Sequence, residues 1–168
     1  MEIPPARYAI IHGNHGSLDV YDEILKEINH HNVLGIFHAG DICGSGPSSI
    51  ECMKKTVECN IIAIKGNHDR FFLGLDTIYK YTKKYALRTK KLRRKAKKTD
   101  PKNFKKYLQF PEKIRTNYFE LVHDVYCPPY YGSKKRERND GFLYQNKINR
   151  PVFFGSGHQF FISQKIGY

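Results

Sequence analysis

The sequence is poor in the residues that crosslink or anchor a protein. Its 168 residues include no tryptophan, two methionines and only four cysteines. The cysteines form no Cys-x-x-Cys pair, which argues against a zinc site built from thiolates and against a disulfide-stapled extracellular domain. No apolar run approaches the roughly 20 residues that a membrane-spanning helix needs, and residues 1–7 lack the basic-then-apolar order of a signal peptide. We therefore expect a cytoplasmic protein with reduced thiols and no membrane contact.

Acidic residues are almost absent from one segment. The chain has 29 Lys and Arg against 16 Asp and Glu, a net charge of +13. The segment from Lys80 to Lys106 contains 14 of the basic residues and one acid, so the rest of the chain is neutral. Aromatic residues lie in and beside it: Tyr79, Tyr81, Tyr85, Phe104 and Tyr107. Such a segment offers phosphate contacts and stacking surfaces, which makes non-specific binding of nucleic acid one hypothesis. The alternative, a solvated helix face without a partner, stays open.

The remaining composition, 40% hydrophobic and 14% aromatic, is typical of a folded domain with a sizeable core. Apolar runs predict strands over 8–11, 33–39 and 60–65, separated by amphipathic helices over 18–28 and 48–58. This order predicts a layered α/β fold with a parallel sheet. Further along, the pattern predicts helices over 75–98 and 101–108, then strands over 118–122, 151–154 and 160–163. We expect a single domain, 1–168, with a basic helical insertion at about 75–108.

Metal-ligand side chains recur where the predicted strands end. Five of the eight histidines are at or just past these ends, together with an aspartate and an asparagine: His12, His15, His68, His123, His158, Asp41 and Asn67. Because the carboxyl ends of parallel strands share one edge of a sheet, these side chains can converge on one crevice. Imidazole, carboxylate and amide oxygen suit Mn²⁺, Fe²⁺, Zn²⁺ or Ni²⁺ better than Ca²⁺. The pattern therefore predicts a metal or phosphate site at this edge.

Five short motifs follow one another in order along the chain. They are His-Gly-Asn-His-Gly at 12–16, Gly-Asp-Ile-Cys-Gly-Ser-Gly-Pro at 40–47, Gly-Asn-His-Asp at 66–69, Leu-Val-His at 121–123 and Gly-Ser-Gly-His at 155–158. In order and spacing they resemble the motifs of the calcineurin-like metallophosphoesterase superfamily, in particular its small bacterial and archaeal phosphodiesterases. The resemblance implies a layered β-sandwich of parallel and mixed sheets flanked by helices.

The same resemblance implies a metal-dependent phosphoric ester hydrolase, either a phosphodiesterase or a phosphomonoesterase. Such an enzyme holds two divalent ions, Mn, Ni, Fe or Zn, which activate water and neutralise phosphoryl charge. The implied metal ligands are His15, Asp41, Asn67, His123 and His158. Asp41 would bridge the ions, while His68 would contact the scissile phosphate and assist the leaving group, with Asp69 orienting its imidazole.

Two positions depart from the family pattern. Gly13 stands where the family has an aspartate, and Ser156 stands where it has a histidine. Each ion thereby loses one ligand, so we expect weakened binding of both ions and impaired activity; whether two ions bind or one stays open. His12 or Asn14 could replace the missing aspartate, although strand alternation points both away from the direction of residue 13. The alternative function is a degenerate member of the family that serves as a binding or scaffold protein, using its basic helix for nucleic acid.

The C-terminal part of the sequence also departs from the family pattern. His123 is followed by Asp124 where the family has a glycine, and the sequence leaves open whether this aspartate is a new ligand or a hydrogen-bond partner. Relatives continue with further strands beyond the last motif, whereas this sequence stops at Tyr168. We expect an incomplete second sheet whose open edge could pair with another chain.

Overall fold

The structure, a computed structural model, describes residues 1–76, 82–123, 151–155 and 162–163. The strands are β1 Tyr8–Ile11, β2 Gly35–His38, β3 Ile62–Ala63, β4 Lys113–Arg115, β5 Glu120–Val122, β6 Val152–Phe154 and β7 Ile162–Ser163. The helices are α1 Leu18–Ile28, α2 Ser49–Glu58, α3 Asn67–Leu73, α4 Lys83–Thr99 and α5 Pro101–Leu108. None of these described helices is long and apolar enough to cross a bilayer.

The strands form two sheets. The first has the order β1-β2-β3 with parallel pairing, and the helices α1 and α2 are the crossovers between its strands. The second has the order β4-β5-β6-β7 and mixed pairing, since β5 and β6 are parallel while β4 and β7 run antiparallel to their neighbours. The predicted layered α/β fold is confirmed in this arrangement. The expected open edge of the second sheet stays a prediction.

Alternate residues of the first sheet face opposite layers. Ile11, Ile36 and Ala63 belong to a cluster with the helices, whose buried members include Tyr21, Met53, Phe72 and Phe104. Their neighbours Ile10, Phe37 and Ile62 instead pack against the second sheet, through Ile114, Phe119 and Leu121. The period-two alternation of these strands thus places a core on each face of the first sheet.

Several element boundaries differ from those that the sequence predicts. The predicted strands 33–39, 60–65 and 118–122 are shorter in the structure, and β4 was not predicted. The long basic helix begins at Lys83, whereas we expected it from residue 75, and residues 75–76 are not helical. The motif at 66–69, which follows the third predicted strand, opens a helix that was not predicted, α3. Its Asp69 side chain accepts from the backbone of the N-cap residue Gly66, and Gly74 ends it in a left-handed conformation.

His38, at the end of β2, is buried in the core beneath the crevice. Its Nδ1 accepts a hydrogen bond from the Gly40 N–H at 3.1 Å, so the ring proton is on Nε2, which donates to Asn14 Oδ1 at 3.0 Å. Burial, aided by repulsion from His12, lowers the pKa of His38 from 6.5 to about 3. The ring therefore stays neutral in the folded protein at pH values where the unfolded chain is already protonated.

We predict an acid-dependent loss of stability that comes from His38. Below about pH 6.5 the unfolded state binds a proton that the folded state rejects until about pH 3, so folding weakens as pH falls through this window. Between pH 7 and pH 5 the loss is about 2 kcal/mol. Urea denaturation of the wild type and of His38→Gln in EDTA measures it, because the variant lacks this group. Equal pH slopes for both proteins would contradict the prediction.

Candidate metal centre

The crevice is built from the loops that follow β1 and β2. Backbone hydrogen bonds from residues 13, 15 and 16 to the carbonyls of residues 40, 41 and 42, at 2.8 to 3.1 Å, join the two loops side by side. The start of α3 closes against them: a Cβ atom on Gly66 would lie 2.2 Å from Asp41 Oδ1, so only glycine fits there. Three chain segments that are distant in sequence thus meet at one point.

Two residues of this crevice have a left-handed backbone. His15 has φ +48° and Asp41 has φ +59°, a region that non-glycine residues seldom occupy. The paired loops hold both residues there, since His15 N–H donates to the Asp41 carbonyl at 2.9 Å. Backbone strain that the surrounding structure maintains is typical of functional sites.

The Asp41 carboxylate lies at the centre of the cluster. Its Oδ2 is 3.2 Å from His123 Nε2 and 3.8 Å from His15 Nε2, while its Oδ1 accepts from the His68 backbone N–H at 2.9 Å. Ligand atoms of His15, Asp41 and His68 all lie within 4.8 Å of one another. Asn67 joins the group, because its Oδ1 is 3.1 Å from His123 Nε2. Five of the residues that the sequence singled out are therefore neighbours.

The ring of His123 shows what this cluster can bind. Its Nδ1–H donates to the Ala39 carbonyl at 2.7 Å, so in the neutral ring Nε2 carries a lone pair. That lone pair faces the oxygens of Asp41 and Asn67, an arrangement of acceptors that needs a cation. A proton can serve: burial lowers the pKa of His123, but the hydrogen bond and charge of Asp41 outweigh burial and raise it. A divalent metal fits the same donor set, with the Ala39 bond orienting the ligand.

Asp41 is correspondingly kept ionised. Burial raises the pKa of its carboxyl group, but the hydrogen bond from His123 and the positive charge of that ring outweigh burial and hold the pKa below 3.8. The carboxylate is thus available as a metal ligand across the physiological pH range.

Asp69 is fully buried and has a different role from the one expected. It accepts four hydrogen bonds, at 2.6 to 2.8 Å, from the backbone N–H groups of Asp41, Cys43 and Gly66 and from the Tyr107 hydroxyl. Burial and the charge of Asp41 raise the pKa of Asp69 to about 6, against the effect of these donors. None of the four donors is His68. The expected orientation of the His68 ring by Asp69 is therefore corrected: Asp69 fixes the loops beneath the site.

The His68 ring contacts an aromatic residue of the basic helix. Tyr85 places its hydroxyl 2.8 Å from His68 Nδ1, and the ring of His15 packs edge-on against His68 with centroids 4.8 Å apart. The sequence offered Tyr85 as a stacking surface for nucleic acid. Its role at the site was missed, since only the packing of α4 on α3 brings the hydroxyl there.

Other expectations about single residues are also decided. Asn14 does not replace the missing aspartate, because its Oδ1 faces His38 inside the core. Phe104 and Tyr107 are buried and cannot stack on nucleic acid, which corrects that part of the partner hypothesis. The positions Tyr79, Tyr81, Asp124, Ser156 and His158 lie outside the described residues, so the expectations for them stay predictions.

Comparison with known proteins agrees with this geometry. A family model for calcineurin-like phosphoesterases matches residues 11–159, which is most of the chain. The protein therefore belongs to the calcineurin-like phosphoesterase family, as its motifs predicted. Members of this family bind divalent metal ions, and the cluster around Asp41 is where the described residues could hold one.

Individual proteins resemble this chain only moderately in sequence. Over 87 residues the chain is 34% identical to the uncharacterized protein MJ0912 of Methanocaldococcus jannaschii, a match that spans half of this chain and 36% of that protein. A crystal structure described as a putative diadenosine tetraphosphatase has a TM-score of 0.60 and 19% identity, covering 94% of this chain and 78% of the other. A metallophosphoesterase from Sphaerobacter thermophilus has a TM-score of 0.53 and 21% identity, covering 70% and 46%. These structures support the fold.

Gly13 marks the position of the absent aspartate. A Cβ atom built on it would lie 3.6 Å from His15 Nε2, in ordinary contact, so a Cβ atom at this position fits beside the cluster without a clash. Its φ of +67° is left-handed, a conformation that aspartate and asparagine tolerate better than most residues.

We predict that Gly13→Asp strengthens metal binding, because it adds a carboxylate beside His15. Calorimetric titration with Mn²⁺ should show affinity at least about tenfold higher, equivalent to about 1.4 kcal/mol. Gly13→Asn is the matched control, since it has the same shape and backbone cost but no charge. Equal affinities for the two variants would contradict the prediction.

Proposed function

We propose that the protein is a metal-dependent phosphoric ester hydrolase of low intrinsic activity. The observation that carries the proposal is the cation-binding arrangement of His123, Asp41 and Asn67 at the carboxyl edge of the first sheet. Family membership gives the reaction class, and Gly13 accounts for the weakness, because one ligand position has no side chain. Mn²⁺ and a cytoplasmic location are further predictions of the same proposal.

The residues of the crevice have two proposed roles, as metal ligands and as proton donor. His15, Asp41, Asn67 and His123 would hold divalent metal, with His158 as a further ligand predicted from its motif. Bound metal supplies Lewis-acid activation of water and neutralises charge on the phosphoryl oxygens. His68 faces the substrate side: as the ester P–O bond breaks, its imidazolium gives a proton to the leaving oxygen, while a water oxygen forms the new bond to phosphorus.

We predict metal-dependent hydrolysis of generic phosphate esters. With millimolar Mn²⁺ the purified protein should cleave p-nitrophenyl phosphate or its bis-ester, and EDTA should abolish the reaction. Asp41→Asn should lower turnover at least 100-fold, because the neutral amide loses the charge on which the cluster depends. Release of nitrophenol, followed by absorbance, is the measurement.

Asp19→Asn, on the exposed first turn of α1, is the matched control and should retain wild-type turnover. Hydrolysis that is equal in the wild type and in Asp41→Asn would come from a contaminant and would contradict the proposal. Two-ion binding without turnover would favour the scaffold alternative.

The exposed face of α4 supports a second function, non-specific binding of nucleic acid. The helix contains ten Lys and Arg and no acid, and its buried side consists of Ala86, Thr89 and Ala96. Lys91, Lys95 and Lys98 are exposed and follow one another at helical spacing, so they form one cationic stripe. Phosphate contacts by such a stripe release counterions and make binding sensitive to salt.

We predict that changing this stripe weakens binding to DNA. The triple change of Lys91, Lys95 and Lys98 to Gln should reduce the slope of log affinity against log salt by about two to three, one unit or slightly less per lost phosphate contact. The matched control changes the exposed Lys26, Lys54 and Lys113 to Gln, which removes the same charge elsewhere. Fluorescence anisotropy with a labelled oligonucleotide measures both. Equal slopes for the two triple variants would contradict the prediction, and the exposed face of α4 would then be a solvated surface without a partner.

A further inference from the structure

The contact between Tyr85 and His68 connects the basic helix α4 to the crevice, at the residue that we propose as the proton donor. The Tyr85 hydroxyl lies 2.8 Å from His68 Nδ1, and the two rings meet nearly perpendicular, with centroids 5.7 Å apart. The residues are 17 positions apart in sequence, on α4 and at the start of α3. A hydroxyl at hydrogen-bond distance from one ring nitrogen determines which way the other nitrogen points.

Packing holds the Tyr85 ring in place on its other sides. It stacks on Phe71 with centroids 5.8 Å apart and planes 20° from parallel. Its backbone N–H donates to the Thr82 hydroxyl, which caps α4. The orientation of Tyr85 is therefore set by the framework, independently of substrate.

One turn further along α4, a guanidinium fastens the helix to the metal-binding loops. Arg88 donates from Nη1 to the Ser45 carbonyl at 2.6 Å and from Nη2 to the Gly46 carbonyl at 2.7 Å. The same loop passes directly over His15, since a Cβ on Gly44 would lie 2.7 Å from the His15 Cα. These contacts fix the position of α4 relative to the crevice. They thereby keep the Tyr85 hydroxyl within hydrogen-bond distance of His68.

We propose that Tyr85 is a positioning residue that aims His68 at the leaving group of the substrate, an inference that rests on the proposed hydrolase function. The Tyr85 oxygen accepts the Nδ1 proton of the His68 imidazolium, so the proton released to the leaving oxygen is the one on Nε2. After the transfer the neutral ring keeps its Nδ1 proton and its bond to Tyr85. The proton that the attacking water loses restores the imidazolium, and the reaction balances as hydrolysis.

The chemistry predicts an effect that depends on the leaving group. Nitrophenolate leaves readily without a proton, whereas phenolate needs one, so help from His68 counts most for phenyl phosphate. Tyr85→Phe removes the hydroxyl and keeps the stacking on Phe71. We expect it to lower kcat on phenyl phosphate about tenfold or more and on p-nitrophenyl phosphate less than about threefold.

A double-mutant cycle separates positioning from a structural role. If Tyr85 acts through His68, Tyr85→Phe has no further effect once His68→Gln is present. Tyr8→Phe is the matched control, because it removes one hydroxyl that donates to the Pro4 carbonyl on the other side of the first sheet. Equal losses on both esters, or a full loss in the His68→Gln background, would overturn the proposal.

A second measurement does not depend on turnover. Proton NMR of the Zn²⁺-loaded protein at mildly acidic pH should show a slowly exchanging downfield signal from the His68 Nδ1 proton. The signal should be absent in His68→Gln and in Tyr85→Phe and present in Tyr8→Phe. If the wild type hydrolyses neither ester but shows this pattern, the hydrolase function fails while the positioning contact stands. A signal that persists in Tyr85→Phe overturns the inference about Tyr85.

Discussion

The buried carboxylate of Asp69 is the interaction on which the crevice depends. Three backbone N–H groups and a tyrosine hydroxyl converge on its two oxygens, so one side chain ties the loop after β2, the start of α3 and the helix α5 together. A buried charge is tolerated in a core only when donors surround it in this way. Loss of the carboxylate would leave several buried donors unsatisfied, each at a cost of about 1–3 kcal/mol. The backbone N–H of Asp41 donates a hydrogen bond to Asp69, so the Asp69 carboxylate stabilises the left-handed backbone of Asp41.

The candidate metal centre, which lies next to Asp69, brings several hydrogen-bond acceptors together. One proton, shared between His123 and Asp41, compensates for them. His123 and Asp41 each have a pKa shifted by the other toward the charged form, so the ion pair occupies the place that a metal suits. Metal binding then means exchanging a proton for a divalent ion, which makes affinity depend on pH and on the number of ligands. Gly13 matters for this reason: a Cβ atom would meet only ordinary contacts there, and what is missing at this position is a side chain.

The basic helix unites two roles that its sequence presents separately. Its inner face carries Tyr85 to His68 and Arg88 to the loop after β2, while its outer face bears lysines in solvent. A polyanionic substrate attracted by the outer face would meet the crevice at the same helix. The charge of the outer face and the proposed hydrolysis are therefore linked by position, although each involves different residues of α4.

Local pattern by itself determined the α/β layering, the strands near 8–11 and 35–38, and the set of histidines and carboxylates at the strand ends. It could do so because period-two alternation and strand-end loops are properties of a few neighbouring residues. Tertiary structure alone decided that Asp69 supports the loops and does not orient His68, and that Tyr85 contacts that ring. Those outcomes depend on contacts between residues 17 to 38 positions apart, whose partners are chosen by how helices pack on the sheet. No short-range pattern encodes that packing, which is why the candidate ligand residues could be picked from the sequence and the contacts of Asp69 and Tyr85 could not.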